Sequence, residues 1–257
     1  MTNSKTLIVA KYTLKEAIKS RLLFITLIVG VAIMVVTYVA TEFTYGVPQK
    51  VALDFGLGML SLSSLGISLF LGATSLSKEI ESRTIYMVIS RPVARWKFIA
   101  GKILGLLGMI TLNVTILSSM TLICSYILGG KIDQMILMAI AFNFLECILL
   151  VLLVMFFSLF ANNILSSVAA FTLLILGHAA KDTQNLVFVQ VRPFIKKSLE
   201  FYHLILPAFY KLNLKDFVIY NQKLDASYLF QSALYGITYS FFLFFMILFI
   251  FNRKNLD

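Results

Sequence analysis

Ile103-Leu-Gly-Leu-Leu-Gly-Met-Ile-Thr-Leu-Asn-Val-Thr-Ile-Leu-Ser-Ser-Met-Thr-Leu-Ile-Cys-Ser-Tyr-Ile-Leu-Gly-Gly130 runs for 28 residues without an Asp, Glu, Lys or Arg. A helix needs about 20 predominantly apolar residues to cross the hydrocarbon core of a bilayer, so this stretch has the length of a membrane span. Three more charge-free windows, 22–41, 55–77 and 226–252, hold 20, 23 and 27 residues. A fifth, from Met135 to Ala180, is broken only by Glu146 and the polar pair Asn162-Asn163. The whole chain agrees. Of its 257 residues, 60% are hydrophobic and 13% charged, against about 45–50% and 25% for soluble domains. A soluble domain is excluded, and the fold class is an all-α polytopic membrane protein.

Six transmembrane helices are expected, over 22–41, 55–77, 98–128, 135–160, 164–180 and 229–251. The turn signal Asn162-Asn163 divides the long fourth window, since 46 residues are too many for one crossing. Lys and Arg set the direction. The N-terminus carries five, the 78–102 connection six and the C-terminal tail two, whereas the 42–54 and 129–134 loops carry one each. By the positive-inside rule both termini are cytoplasmic. Segment 181–228 has seven basic residues on the other side, but long loops translocate largely regardless of charge. The net charge of +10 therefore reads as topology and contact with anionic membrane lipid. No basic run interleaved with aromatics points to nucleic acid.

Upstream of the first span, Leu7, Ala10, Leu14, Ala17, Ile18 and Arg21 recur at helical spacing, with Lys5, Lys15, Glu16 and Lys19 opposite. This predicts a basic amphipathic helix over 5–20 lying in the membrane interface. No cleaved signal peptide is expected, because the first apolar run lacks a small-residue exit site. Cys124 and Cys147 fall inside spans, where they pack as small hydrophobes. The extracytoplasmic segment 181–228 is too apolar for a solvent loop. Pro193 and Pro207 break it into short pieces expected to dip into or cap the outer mouth.

Within the spans, Ser61, Ser64, Ser68, Gly72 and Ser75 form a stripe of small residues down one helix face. Such stripes let helices approach closely in lipid; lining a translocation path is the other reading. Gly101, Gly105 and Gly108 form a similar patch. Glu146 is the only acid deep in a span. An acid at a helix centre costs about 2.5–3.5 kcal/mol on insertion scales, so it must face protein or water. Asn113, at similar depth across the 129–134 turn, is the expected partner. A hydrogen-bonded strut and a place in the path both remain open. Met135 and Met138 form no credible metal site, and no set of polar residues supports catalysis.

The 78–102 connection is the most specific stretch: Lys78-Glu-Ile-Glu-Ser-Arg-Thr-Ile-Tyr-Met-Val-Ile-Ser-Arg-Pro-Val-Ala-Arg-Trp-Lys-Phe-Ile-Ala-Gly-Lys102. Ile80, Thr84, Met87 and Val88 share a helical face. Ser90-Arg91-Pro92 stops the helix, and Trp96 and Phe98 anchor the return into the membrane. This stretch resembles the cytoplasmic signature of ABC-2 type transporter permeases: the acidic pair Glu79/Glu81, Arg83-Thr84, the apolar run 85–89, Ser90-Arg91-Pro92-Val93, Arg95-Trp96, Phe98 and Gly101-Lys102. Residues 201–207, 212–216 and 251–254 are similar to the closing part of the NosY-like branch, with Ala208 where that branch would have Asn.

The resemblance implies a six-helix permease, a homodimer, seated on two ABC ATPase (nucleotide-binding) subunits in a bacterial cytoplasmic membrane. Segment 78–97 would be the coupling helix, with Glu79, Glu81, Arg83, Thr84, Met87, Val88, Arg91, Pro92 and Arg95 against the ATPase. Pro207 and Phe209 would belong to an outer gate that an extracytoplasmic accessory protein could approach. The chain contains no Gly-x4-Gly-Lys-Ser/Thr phosphate loop, so it is expected not to be an enzyme; ATP and Mg2+ would be held by the partner. Transport by alternating access, most simply export, is the leading expectation. The alternatives are an ATP-independent secondary transporter or channel using Glu146, and an intramembrane enzyme.

Overall fold

A computed structural model describes residues 3–43, 48–81, 94–184, 206–220, 222 and 224–253. Among the described residues the chain is helical throughout, without strands. The helices are α1 (Asn3–Lys19), α2 (Leu22–Glu42), α3 (Pro48–Glu81), α4 (Arg95–Ile127), α5 (Gln134–Ser158), α6 (Asn163–Gln184), α7 (Lys215–Ile219) and α8 (Ala226–Arg253), with a 3-10 turn at Phe209–Lys211.

Five of them are long and apolar enough to cross a membrane: α2, α3 over Pro48–Leu76, α4, α5 and α8. The sixth crossing expected at 164–180 is not among them. Its apolar part, Asn163–Ala179, falls short of the roughly 20 residues of a straight crossing. Several helices overrun their apolar windows because helical hydrogen bonding continues past the hydrocarbon. α3 starts at Pro48 rather than near 55, where proline's fixed φ suits the first helical position. The polar breaks act as the sequence implies. Asp133 accepts a hydrogen bond from the Gln134 amide at the head of α5, and Asn162 Oδ1 accepts from the Leu165 amide at the head of α6.

α5 is the most enclosed helix; α3, α4, α6 and α8 pack around it. α2 lies outside, against α3 and α4, and turns Phe24, Ile28, Val31, Val35 and Tyr38 outward. The α3 stripe faces inward. A Cβ built on Gly72 would lie 2.8 Å from Val154 Cβ and 3.1 Å from the Val151 carbonyl oxygen.

α1 docks along the first turns of α4. A Cβ on Gly101 would meet Val9 Cβ at 2.7 Å and the Thr6 carbonyl at 2.8 Å; one on Gly105 would meet Thr13 Cβ at 2.6 Å. Thr13 and Ala17 are buried, while Leu7 and Ile18 point out, beside Ile8 and Tyr12. Between α1 and α2 the chain turns at Arg21, whose φ of 63° is left-handed, a conformation costing a non-glycine residue about 1–2 kcal/mol. Arg21→Gly and Arg21→Ile both remove the charge, but only the first relieves the backbone. The isoleucine variant is expected to be less stable than the glycine variant by about 1–2 kcal/mol, read as a lower Tm in detergent. Equal values would mean that the elbow is not held in this conformation.

Candidate functional site

The polar residues of the spans gather where α3, α5 and α6 meet. Ser64 Oγ donates to Asn143 Oδ1 at 3.0 Å, and Ser68 Oγ to the Ser64 carbonyl at 2.7 Å. Ser64 and Ser68 are buried and Ser61 is partly so. One helical turn beyond Asn143, Glu146 is 1% exposed. Beside it a cavity of about 20 Å³, lined by Ser61, Asn143, Glu146 and Leu212–Lys215, has room for a single water.

Glu146 does not meet Asn113. Asn113 faces α2, where its Nδ2 donates to Thr26 Oγ1 at 2.8 Å. Glu146 is met instead by His178 of α6, with Nε2 3.1 Å from Oε1. His178 Nδ1 lies 3.0 Å from the Leu174 carbonyl, which can only accept, so Nδ1 carries a proton. Nε2 faces Oε1 across this gap, and no hydrogen bond of standard geometry joins them. Ionisable residues within spans face the bundle interior and lie beside one another in this way.

The ring of His178 stacks on Phe209, with centroids 6.0 Å apart and planes 4° from parallel. Phe209 is fully buried. Pro207 lies against Gly177, where a Cβ would stand 2.4 Å from the Pro207 carbonyl. The Ala208 amide donates to the Tyr235 hydroxyl of α8 at 2.9 Å. The Pro207–Phe209 wedge is thus inserted between α6 and α8. Lys215 ties the following α7 to Asp54 of α3 at 2.9 Å, an exposed pair worth at most about 1 kcal/mol.

Nothing in the sequence pattern singles out His178 as the partner. The depth argument that suggested Asn113 admits it when applied to the next turn, since Glu146 lies about 15 residues before and His178 about 17 after Ala161.

At the other end of the bundle, Arg95 Nη1 donates to the Asn252 carbonyl at 3.1 Å and lies 3.4 Å from that of Phe251. It caps the last turn of α8, where a cation complements the helix dipole. Glu79 and Glu81 sit on the last turn of α3. Arg83, Thr84, Met87, Val88, Arg91 and Pro92 lie outside the described residues, as do Pro193 and His203. Among the described residues no cluster of three His, Cys, Asp or Glu could hold a metal.

Several membrane-length helices around a tightly packed polar seam define a multi-pass membrane protein. A family model described as ABC-2 family transporter protein matches residues 7–177, two thirds of the chain. The chain belongs to the ABC-2 transporter family and is a permease component of an ABC transporter, a type that works with ABC ATPase partners. No curated protein matches it.

The Glu146–His178 contact makes a direct prediction. His178→Phe strands a buried carboxylate and is expected to cost about 3–5 kcal/mol. Adding Glu146→Gln to that variant should recover most of the loss, measured as Tm of the purified protein. A double variant no more stable than His178→Phe would show that the two side chains do not interact.

Proposed function

We propose that this chain is the transmembrane subunit of an ATP-driven exporter, resembling the NosY-like branch, in which two copies form a homodimer on two ABC ATPase subunits. ATP and Mg2+ are bound by the ATPases and not by this chain. The permease crosses a bacterial cytoplasmic membrane six times, with α6 as the additional crossing and both termini cytoplasmic.

The observation that carries the reading is the arrangement around the 82–94 connection. α3 runs unbroken from the connection to the opposite end of the bundle, and its inner face is locked onto α5. α4 restarts at Arg95, which is held to the end of α8, and carries α1 on its first turns. A push on this connection, delivered through Glu79, Glu81, Arg83, Thr84, Met87 and Val88, reaches α3 and α4 and, through their contacts, α1 and α8. Such a segment, with Arg91 and Pro92 ending it, suits a coupling helix. At the far end the Pro207–Phe209 wedge is placed to act as the outer gate, where an accessory protein has access. Glu146 serves as a strut in this scheme, buried on α5 and facing His178 of α6.

Glu79→Lys combined with Glu81→Lys should leave the permease folded and inserted but lower co-purified ATPase at least about tenfold, because like-charge contacts cost several kcal/mol. The measurement is vanadate-sensitive hydrolysis and subunit ratio after purification in mild detergent. A reversed protein that assembles and transports normally would remove the coupling role from this segment.

A further inference from the structure

The end of the bundle that carries α1 holds a cavity that the transport reading does not use. It has a volume of about 130 Å³ and lies between α1, α3 and α4, roughly ten times the space one water requires. Its wall is unusual for a helix junction. Lys102 is 4% exposed, with Nζ donating to the Ser75 carbonyl at 2.7 Å. The Ser75 hydroxyl, on a residue 8% exposed, is buried without a hydrogen-bond partner. Two other hydroxyls of the wall are occupied, Thr74 Oγ1 with the Phe70 carbonyl and Ser20 Oγ with the Ala17 carbonyl. Glu16 of α1 stands at the cavity's exposed side, and Phe70, half exposed, forms an apolar flank.

The depth is that of a lipid headgroup. α4 has 33 residues, about 50 Å of helix, and a hydrocarbon core of about 30 Å centred on it begins about 10 Å from its start. That is the level of Lys102. Trp96 and Lys97 lie beyond it, and the outward face of α1 mixes Lys11, Lys15 and Lys19 with Ile8 and Tyr12, a composition suited to the interface.

We propose that this cavity binds the headgroup of a phospholipid that carries both a phosphate diester and a primary amine, as phosphatidylethanolamine does. The phosphate accepts from the Ser75 hydroxyl beside the Lys102 ammonium. The lipid's own ammonium reaches the Glu16 carboxylate, and an acyl chain leaves along Phe70. A purely anionic headgroup would leave Glu16 facing negative charge, and a choline headgroup has no N–H to donate to it. The site is independent of what the permease transports.

The test uses the full-length protein, delipidated in detergent and offered an equimolar mixture of phosphatidylethanolamine, phosphatidylglycerol and phosphatidylcholine, with retained lipid read by native mass spectrometry. The expected result is one phosphatidylethanolamine per chain, preferred about tenfold. Glu16→Gln should level that preference against phosphatidylglycerol. Ser75→Leu, which fills the cavity, should abolish retention. If that variant does not fold, Ser75→Ala should weaken retention by removing the hydroxyl alone. Three results would overturn the proposal: no retained lipid, meaning a cavity that holds water only; equal or better retention of phosphatidylglycerol; or a preference that survives Glu16→Gln. Loss of lipid in phosphate buffer but not in chloride would assign the site to free phosphate instead, and overturn it too.

Discussion

Close backbone approach between α3 and α5 is the contact on which the rest of the bundle depends. Lipid tails are as apolar as leucine, so burying hydrocarbon between helices brings little, and association rests on packing and internal hydrogen bonds. Gly72 lets α3 lie against the Val151 backbone, and Ser64 and Asn143 bond across the same seam. With α5 fixed in this way, α6 and α8 have a surface to close on, and the outer faces of α2 and α8 are left for lipid.

The two ends of the bundle are finished by different means. At one end charge and small residues cooperate: Arg95 caps α8, Lys102 is drawn inward to a carbonyl, and α1 lies on a glycine shelf. At the other, aromatic and proline residues act as a wedge, with Phe209 stacked on the imidazole that faces Glu146. The buried acid is thereby linked to the segment at the mouth through one ring, so displacing Phe209 would disturb the environment of Glu146 within a single contact.

The all-helical class and the breaks at Asn162 and Asp133 were legible because hydrophobic runs and these turn residues act locally. Crossings were less so, since helix ends continue into polar sequence and only a length of apolar chain registers in the pattern. Which residues of α1 pack on α4 was not legible, because hydrophobicity marks what leaves water, whereas the glycines of α4 set which backbone turns of α1 approach closely. The partner of Glu146 was equally hidden. Depth narrows the candidates to residues mirrored across a turn, but the rotation of each helix decides among them, and Asn113 turned toward α2 while His178 turned inward.

The shelf at Gly101 and Gly105 also imposes an order on biosynthesis. Thr13 leaves the ribosome about 90 residues before Gly105, an interval of roughly 5–20 s at ordinary elongation rates. Throughout it α1 has no α4 to rest on. Its lysines and its outward Ile8 and Tyr12 equip it to wait on the membrane surface, and the small residues it keeps in reserve cost little to leave unpacked. α1 is thus made well before the surface on which it comes to rest.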